Sequence, residues 1–215
     1  TPTGSSAAYA SPLTIATSTV VKAKGFKTDW SDSDLSSGTY TMHFGTLAAP
    51  TPEQATGSYV GSVTVALSSI AGATIRYATD SSVITTGSPI YTTPFAFEET
   101  TTLRFKAYHP DYTTSAETSR TYTLAPAAPV FDPVAGTYTA GQEVTVTAAT
   151  SGSTIRYTLS GAEPTTSDPV ITSGSTLVVG NFTLKAKAWK TGNSPSATTT
   201  ALYTISGDVT PPALA

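Results

Sequence analysis

Three stretches of this chain read almost alike: residues 20–26 (VVKAKGF), 102–108 (TLRFKAY) and 183–189 (TLKAKAW). Each is followed by a tyrosine, a threonine and a hydrophobe: Tyr40-Thr41-Met42, Tyr122-Thr123-Leu124 and Tyr203-Thr204-Ile205. The basic residue stands the same distance ahead of the tyrosine each time, Lys22 to Tyr40, Arg104 to Tyr122 and Lys185 to Tyr203. The repeat period is the step from Lys22 to Arg104, and the step from Arg104 to Lys185 matches it to within a single position. A period this long with only β-type patterning inside it means a string of small whole domains rather than a solenoid. Repetition also argues against a single active site, because catalysis needs one asymmetric constellation.

Within the period, hydrophobic and polar residues alternate. In the second repeat this predicts strands over residues 62–67, 74–79, 90–97, 102–108 and 118–124; in the third, over 143–148, 154–159, 175–179, 182–190 and 198–205. Period-2 alternation with closely spaced turn residues is the signature of an antiparallel β-sandwich. No apolar run has helical spacing. Leu103, Phe105 and Ala107 alternate with Arg104 and Lys106, as Leu184, Ala186 and Ala188 do with Lys185 and Lys187, so one face packs while the other carries charge into water. Tyr40, Tyr122 and Tyr203 are expected near a sandwich edge, with the hydroxyl bonded to backbone.

Proline-bearing segments follow each Tyr-Thr-hydrophobe triplet, at 47–52, 125–129 and 207–212, and read as short, semi-stiff joints. The expected organisation is therefore 1–46 as the back half of a repeat, 47–125 and 126–206 as whole repeats, and 207–215 as a linker or the start of another. The whole is all-β, an elongated array of tandem sandwiches. Tyr9-Ala10-Ser11-Pro12 matches Tyr91-Thr92-Thr93-Pro94, so the first repeat lacks its front three strands. Two accounts fit: a piece of a longer chain, or a filament subunit whose half-domain is completed by strands from a neighbour. Each unit of about 80 residues buries little over half of its unfolded surface and should be modestly stable alone.

Composition narrows the function classes. Net charge is −3 without a basic cluster, which argues against nucleic acid or an anionic membrane surface. No stretch approaches the roughly 20 apolar residues of a membrane span. The absence of cysteine excludes disulfides, thiol catalysis and thiolate metal sites within this sequence.

A second ungapped pair recurs at nearly the same period, Gly72-Ala73-Thr74-Ile75-Arg76-Tyr77 and Gly152-Ser153-Thr154-Ile155-Arg156-Tyr157. The second copy leads into residues 160–169 (SGAEPTTSDP). Together with the TLKAKAW run and the closing Tyr-Thr-Ile, these resemble the chitobiase/β-hexosaminidase C-terminal immunoglobulin-like domain over 57–206, and its back half over 2–44. The resemblance implies a non-catalytic immunoglobulin-like spacer or accessory module in secreted or surface-anchored bacterial proteins, hence an extracellular or cell-surface location. The family's usual Asp-Gly after the Ile-Arg-Tyr strand is Asp80-Ser81 in one repeat and Ser160-Gly161 in the other, which puts any role of that aspartate in doubt.

No catalytic, cofactor or metal residues are expected. His43 and His109 lie at unrelated positions, so no triad forms around them, and both read as solvated. Glu98 and Glu99 are adjacent and would face opposite ways in a strand, which does not suit a glycosidase pair. Asp29, Asp32 and Asp34 surround Trp30 without the glycine-centred loop and terminal Glu of a calcium site. Asn181-Phe182-Thr183 is a glycosylation sequon by pattern only. Exposed aromatics are the one route to carbohydrate binding: Trp30 and Tyr112 share a loop position that Asn193 takes in the third repeat, and Trp189 ends a strand. They read either as rings closing the sandwich ends or as a sugar platform. The expected partners are neighbouring repeats of the same or an adjacent chain, with polysaccharide as the alternative. The functions weighed are spacer or stalk, filament subunit, and polysaccharide-binding accessory module of a glycoside hydrolase.

Overall fold

The computed structural model describes residues 1–207; the expected start of a further repeat falls outside the described residues. Strands β1 (Thr19–Ala23) and β2 (Ser36–Tyr40) belong to the first repeat. The middle repeat holds β3 (Thr51–Pro52), β4 (Gly57–Val60), β5 (Val63–Val65), β6 (Leu67–Ser68), β7 (Thr74–Ala78), β8 (Phe95–Phe97), β9 (Thr101–Tyr108) and β10 (Thr118–Ala125). The last repeat holds β11 (Val130–Asp132), β12 (Gly136–Tyr138), β13 (Glu143–Thr147), β14 (Thr154–Thr158), β15 (Val170–Ile171), β16 (Ser175–Val178), β17 (Phe182–Trp189) and β18 (Thr199–Ile205). Every described element is a strand or a turn, and no helix is long and apolar enough to cross a membrane.

The fold is all-β and immunoglobulin-like, and the last repeat shows it complete. One sheet runs β11-β13-β16 and the other β12-β18-β17-β14-β15. Between them lies one core, with Phe131, Val144 and Val146 from the first sheet and Ile155, Leu184, Ala186, Ala201 and Tyr203 from the second. Leu184, Ala186 and Ala188 are fully buried while Lys185 and Lys187 alternate outward, as the period-2 pattern requires. In the middle repeat the same chemistry buries Val65, Leu103, Phe105, Ala107, Tyr122 and Leu124. Its single strand at the position of β13 is broken at Ala66 into β5, paired with β8, and β6, paired with β3.

By internal packing the described chain forms two compact units, one of residues 1–52, 67–92 and 104–119, the other of 53–66, 93–103 and 120 onward. In the first unit β1 and β2 pair antiparallel from Thr19↔Tyr40 to Ala23↔Ser36, and β7 pairs with the C-terminal part of β9. The second unit contains the β4–β10 and β5–β8 pairs and the last repeat.

The repeats are copies down to register. Thr19↔Tyr40 in the first corresponds to Phe182↔Tyr203 in the last, with both partners displaced equally along the chain. What differs is cover. Tyr122 and Tyr203 are 0 % exposed, whereas Tyr40, on the two-stranded β1–β2 sheet, is 52 % exposed. Tyr122 and Tyr203, expected near an edge, are thus core residues. Their hydroxyls do reach backbone: Tyr203 donates to the Pro133 carbonyl at 2.7 Å and Tyr122 to the Gln54 carbonyl at 3.4 Å.

Two short ladders run parallel, β4 with β10 and β12 with β18, in sandwiches that are otherwise antiparallel. Sequence patterning did not indicate β3, β4, β11, β12 or β15. All are short, and Pro52, Pro133 and Pro169 lie in or beside them, so no periodicity has room to appear. The predicted strand 90–97 is shorter than expected: only Phe95–Phe97 pairs as a strand, while Ile90 makes an isolated bridge to Arg76.

Candidate functional site

The features that recur at fixed offsets are the joints, and each begins in the bend after a long strand. A Ser hydroxyl bridges this bend three times. Ser115 accepts the Ala107 N–H at 2.9 Å and donates to the Ala116 carbonyl at 2.9 Å. Ser196 does the same with Ala188 (2.8 Å) and Ala197 (2.7 Å), and Ser33 with Gly25 (2.8 Å) and Asp34 (2.9 Å). Ser115 and Ser196 are buried, while Ser33 is exposed. These serines were missed in the sequence, although they recur at the same spacing as Lys22, Arg104 and Lys185. Replacing Ser196 with alanine leaves the buried Ala188 N–H without its partner, so a loss of about 1–3 kcal/mol in urea unfolding is expected. Ser33→Ala, in water, should change stability by less than about 0.5 kcal/mol.

The bend then makes one turn, closed by Trp30 N–H on Lys27 C=O, Tyr112 on His109 and Asn193 on Lys190, at 3.1, 3.2 and 3.1 Å. In the two later repeats this turn receives the end of the preceding repeat. Within the first unit, Asp111, 3 % exposed, takes the Ser18 N–H on its carboxylate (3.2 Å) and the Phe44 N–H on its carbonyl (2.9 Å). Thr113 donates to Gly45 C=O and accepts from Leu47 N–H, both at 2.8 Å, and the Phe44 and Tyr112 rings meet at 5.4 Å. Within the second unit, the Thr100 N–H is shared between the Gly192 carbonyl (3.1 Å) and Asn193 Oδ1 (3.0 Å), and Asn193 Nδ2 donates to Glu98 C=O (3.0 Å). Ser194 N–H bonds Leu124 C=O at 2.8 Å, and Lys190 faces the Glu98 carboxylate at 3.7 Å. Ser18 and Thr100 occupy equivalent positions. Each also caps the end of the last strand through its side chain, accepting Met42 N–H and Leu124 N–H at 2.9 Å, as Asn181 accepts Ile205 N–H at 2.7 Å. The sequon asparagine therefore has a structural duty.

The aromatic candidates have separate surroundings. Trp30 is 70 % exposed on the turn whose counterparts form the joints, with the Lys27 ammonium 4.6 Å from its ring centre. Tyr112 is half-buried between Phe44 and His109. Trp189 is half-buried at the end of β17, opposite Thr154. His43 is exposed, as expected. His109 is not simply solvated: its Nδ1 accepts the Asp111 N–H at 3.1 Å, its ring stands edge-on to Tyr112, and Nε2 lies 2.9 Å from where a side chain on Gly72 would begin. Gly72, at φ +80°, is required by both that approach and its turn. Glu98 and Glu99 fall in the bend before β9, not in a strand, and Asp32 pairs with Lys24 at 3.1 Å. The motif cations hold loops: Arg104 bonds Glu117 and the Asp80 and Ser82 carbonyls, and Lys185 binds Glu163, whose carboxyl is lowered from its ordinary range by that ammonium and by the Thr198 hydroxyl. Among the described residues, no three His, Asp or Glu side chains are grouped to hold a metal ion.

The family model of the chitobiase/beta-hexosaminidase C-terminal domain matches residues 54–120 and again residues 133–200. This chain belongs to that family. The two matched stretches carry the Ile-Arg-Tyr strands and the basic β9 and β17 strands, so family membership and internal repetition rest on the same residues. No curated protein matches the chain. Among solved structures, chicken CNTN1 FN1–FN3 domains are 12% identical, with 86% of this chain and 77% of that one covered and a TM-score of 0.28. The BSP domain of a biofilm associated protein is 16% identical, covering 74% of this chain and 29% of that one at 0.26. Domains 7–9 of the S-layer protein SbsC are 10% identical, covering 92% and 74% at 0.25.

Proposed function

We propose that these repeats are a non-catalytic spacer, or stalk, of a secreted or cell-surface bacterial protein, setting distance and stiffness between the parts it joins. The observation that carries this is the joint. At both joints the same turn takes the backbone N–H of the same position, Ser18 on Asp111 and Thr100 on Gly192 and Asn193, so successive repeats are fastened by hydrogen bonds rather than left on free linkers. Side-chain chemistry changes between the joints while the backbone donor stays, which is how a repeat preserves geometry without preserving a site. Family membership supports the same reading, as does the structural use of His109, Asp111, Glu98 and Glu163 described above.

A second reading has one observation in its favour. Val20 and Tyr40 on β1 and β2 stand about half exposed, and strands supplied by a neighbouring chain in a filament would cover such a sheet. Negative-stain electron microscopy of the purified chain separates the two, with isolated particles expected and polymers favouring the filament. On the same preparation, affinity electrophoresis in chitin, cellulose and glucan gels is expected to show no retardation. Retardation abolished by Trp30→Ala would favour a polysaccharide-binding accessory module instead.

A further inference from the structure

In the last repeat the chain enters ahead of β12 and leaves after β18, and these two strands lie side by side and run the same way: Gly136↔Tyr203, Thr137↔Thr204, Tyr138↔Ile205. Tension on the two ends of the repeat draws β12 toward its N-terminus and β18 toward its C-terminus. The strands are therefore pulled along each other, across their hydrogen bonds, and the bonds of the ladder must fail together. We propose that this parallel ladder is a shear clamp that makes each whole repeat resist force along the chain. As a function it rests on the spacer reading, because only a chain that joins two attachment points is pulled.

Four details support it. Among the described residues β12 is an edge strand laddered to β18 alone, so a pull that reaches β12 falls on that ladder. Side chains reinforce the ladder: the Thr137 and Thr204 hydroxyls bond at 2.6 Å, and both the N–H and the hydroxyl of Ser206 donate to the Tyr138 carbonyl, at 2.9 and 3.2 Å. Tyr203, in the clamp strand, ties back to the Pro133 carbonyl just ahead of β12. The middle repeat repeats the arrangement, with Gly57↔Tyr122 to Val60↔Ala125 parallel and Gly61 N–H on the Ala125 carbonyl at 2.9 Å. β11, which the load reaches first, is held to β13 by an antiparallel ladder from Val130↔Thr147 to Asp132↔Thr145 and lies outside the clamp.

The first repeat supplies the contrast. In β1 and β2 the outgoing ends are partners, Thr19↔Tyr40, so tension opens Thr19↔Tyr40, then Val20↔Thr39, one pair at a time. One molecule thus contains a sheared and an unzipped geometry.

The test is single-molecule stretching of the whole chain through a cysteine added at each end, which are unique attachment points because the chain has none. The expected trace opens the β1–β2 hairpin at low force and then shows two high peaks, each releasing on the order of 250 Å of chain at roughly 3.5 Å per residue. Ser206→Pro deletes a clamp donor at an exposed strand end and is expected to lower the last repeat's peak by roughly half, while the middle repeat's peak stays. Thr204→Ala, which removes only the hydroxyl pair, should lower it less; urea unfolding establishes that both variants are folded. Repeats that open at the hairpin's force, or a folded Ser206→Pro chain with an unchanged peak, would overturn the clamp. Polysaccharide binding or polymer formation would overturn the spacer reading while leaving the force peaks in place.

Discussion

Replacing Tyr203 with alanine is expected to cost the last repeat about 3–5 kcal/mol, the range for removing a large aromatic side chain from a core. The ring is fully buried, lies 6.1 Å from Tyr138 and 5.8 Å from Phe182 between centres, and its hydroxyl bonds the Pro133 carbonyl at 2.7 Å. The truncation therefore opens a cavity and leaves a carbonyl without its donor. A domain of about 80 residues has only about 4–12 kcal/mol in total, so much of the last repeat's stability goes with the ring. The matching change at Tyr40 is the control. That side chain has the same strand register but is half exposed, and Tyr40→Ala should move stability by less than about 0.5 kcal/mol. Urea unfolding followed by near-ultraviolet circular dichroism measures both. Equal losses at the two positions would show that the half repeat is covered in solution.

Alkaline titration gives the second large effect. Burial pushes the Tyr203 phenol up from 10 to about 12, helped by the nearby Tyr138 and Asp132, and burial raises Tyr122 as well. The unfolded chain begins to lose this proton near pH 10, while the folded chain keeps it until near pH 12. Stability contributed by the neutral phenol is complete below pH 10 and drains away as the pH rises through that window, by about 3 kcal/mol for two pH units. The free energy of unfolding should therefore fall steeply between pH 10 and 12, and Tyr203→Phe, which has no proton to lose, should flatten the last repeat's share of that fall. Tyrosinate absorbance read in parallel should show the late proton released with unfolding. A profile that is the same in Tyr203→Phe would remove Tyr203 as its cause.

Alternation along a strand is a local property: Leu184 and Ala186 face inward because the backbone turns successive side chains to opposite faces, whatever lies opposite. The β9 and β17 strands, their outward Arg104, Lys185 and Lys187, and the Tyr-Thr-hydrophobe strands that follow were therefore legible. Their recurrence at a nearly constant period marked the chain as a repeat of one small fold. The family followed from the same residues. What stayed hidden was short or decided by remote partners. β12 is a brief strand close behind Pro133, and nothing in Gly136-Thr137-Tyr138 says that it pairs parallel with the strand at the far end of its repeat. Asn193 looked like the loss of an aromatic, yet it completes a joint, because the turn supplies backbone groups and the side chain only adds to them.

Sequence alone thus determined the repeating unit, its inward and outward faces and its strand-rich architecture, since these depend on the order of residues along one strand. Only the tertiary structure decided that Tyr203 is sealed and Tyr40 open, that Ser115 and Ser196 are buried, and that β12 pairs with β18, since burial and pairing depend on what another segment brings to the same place.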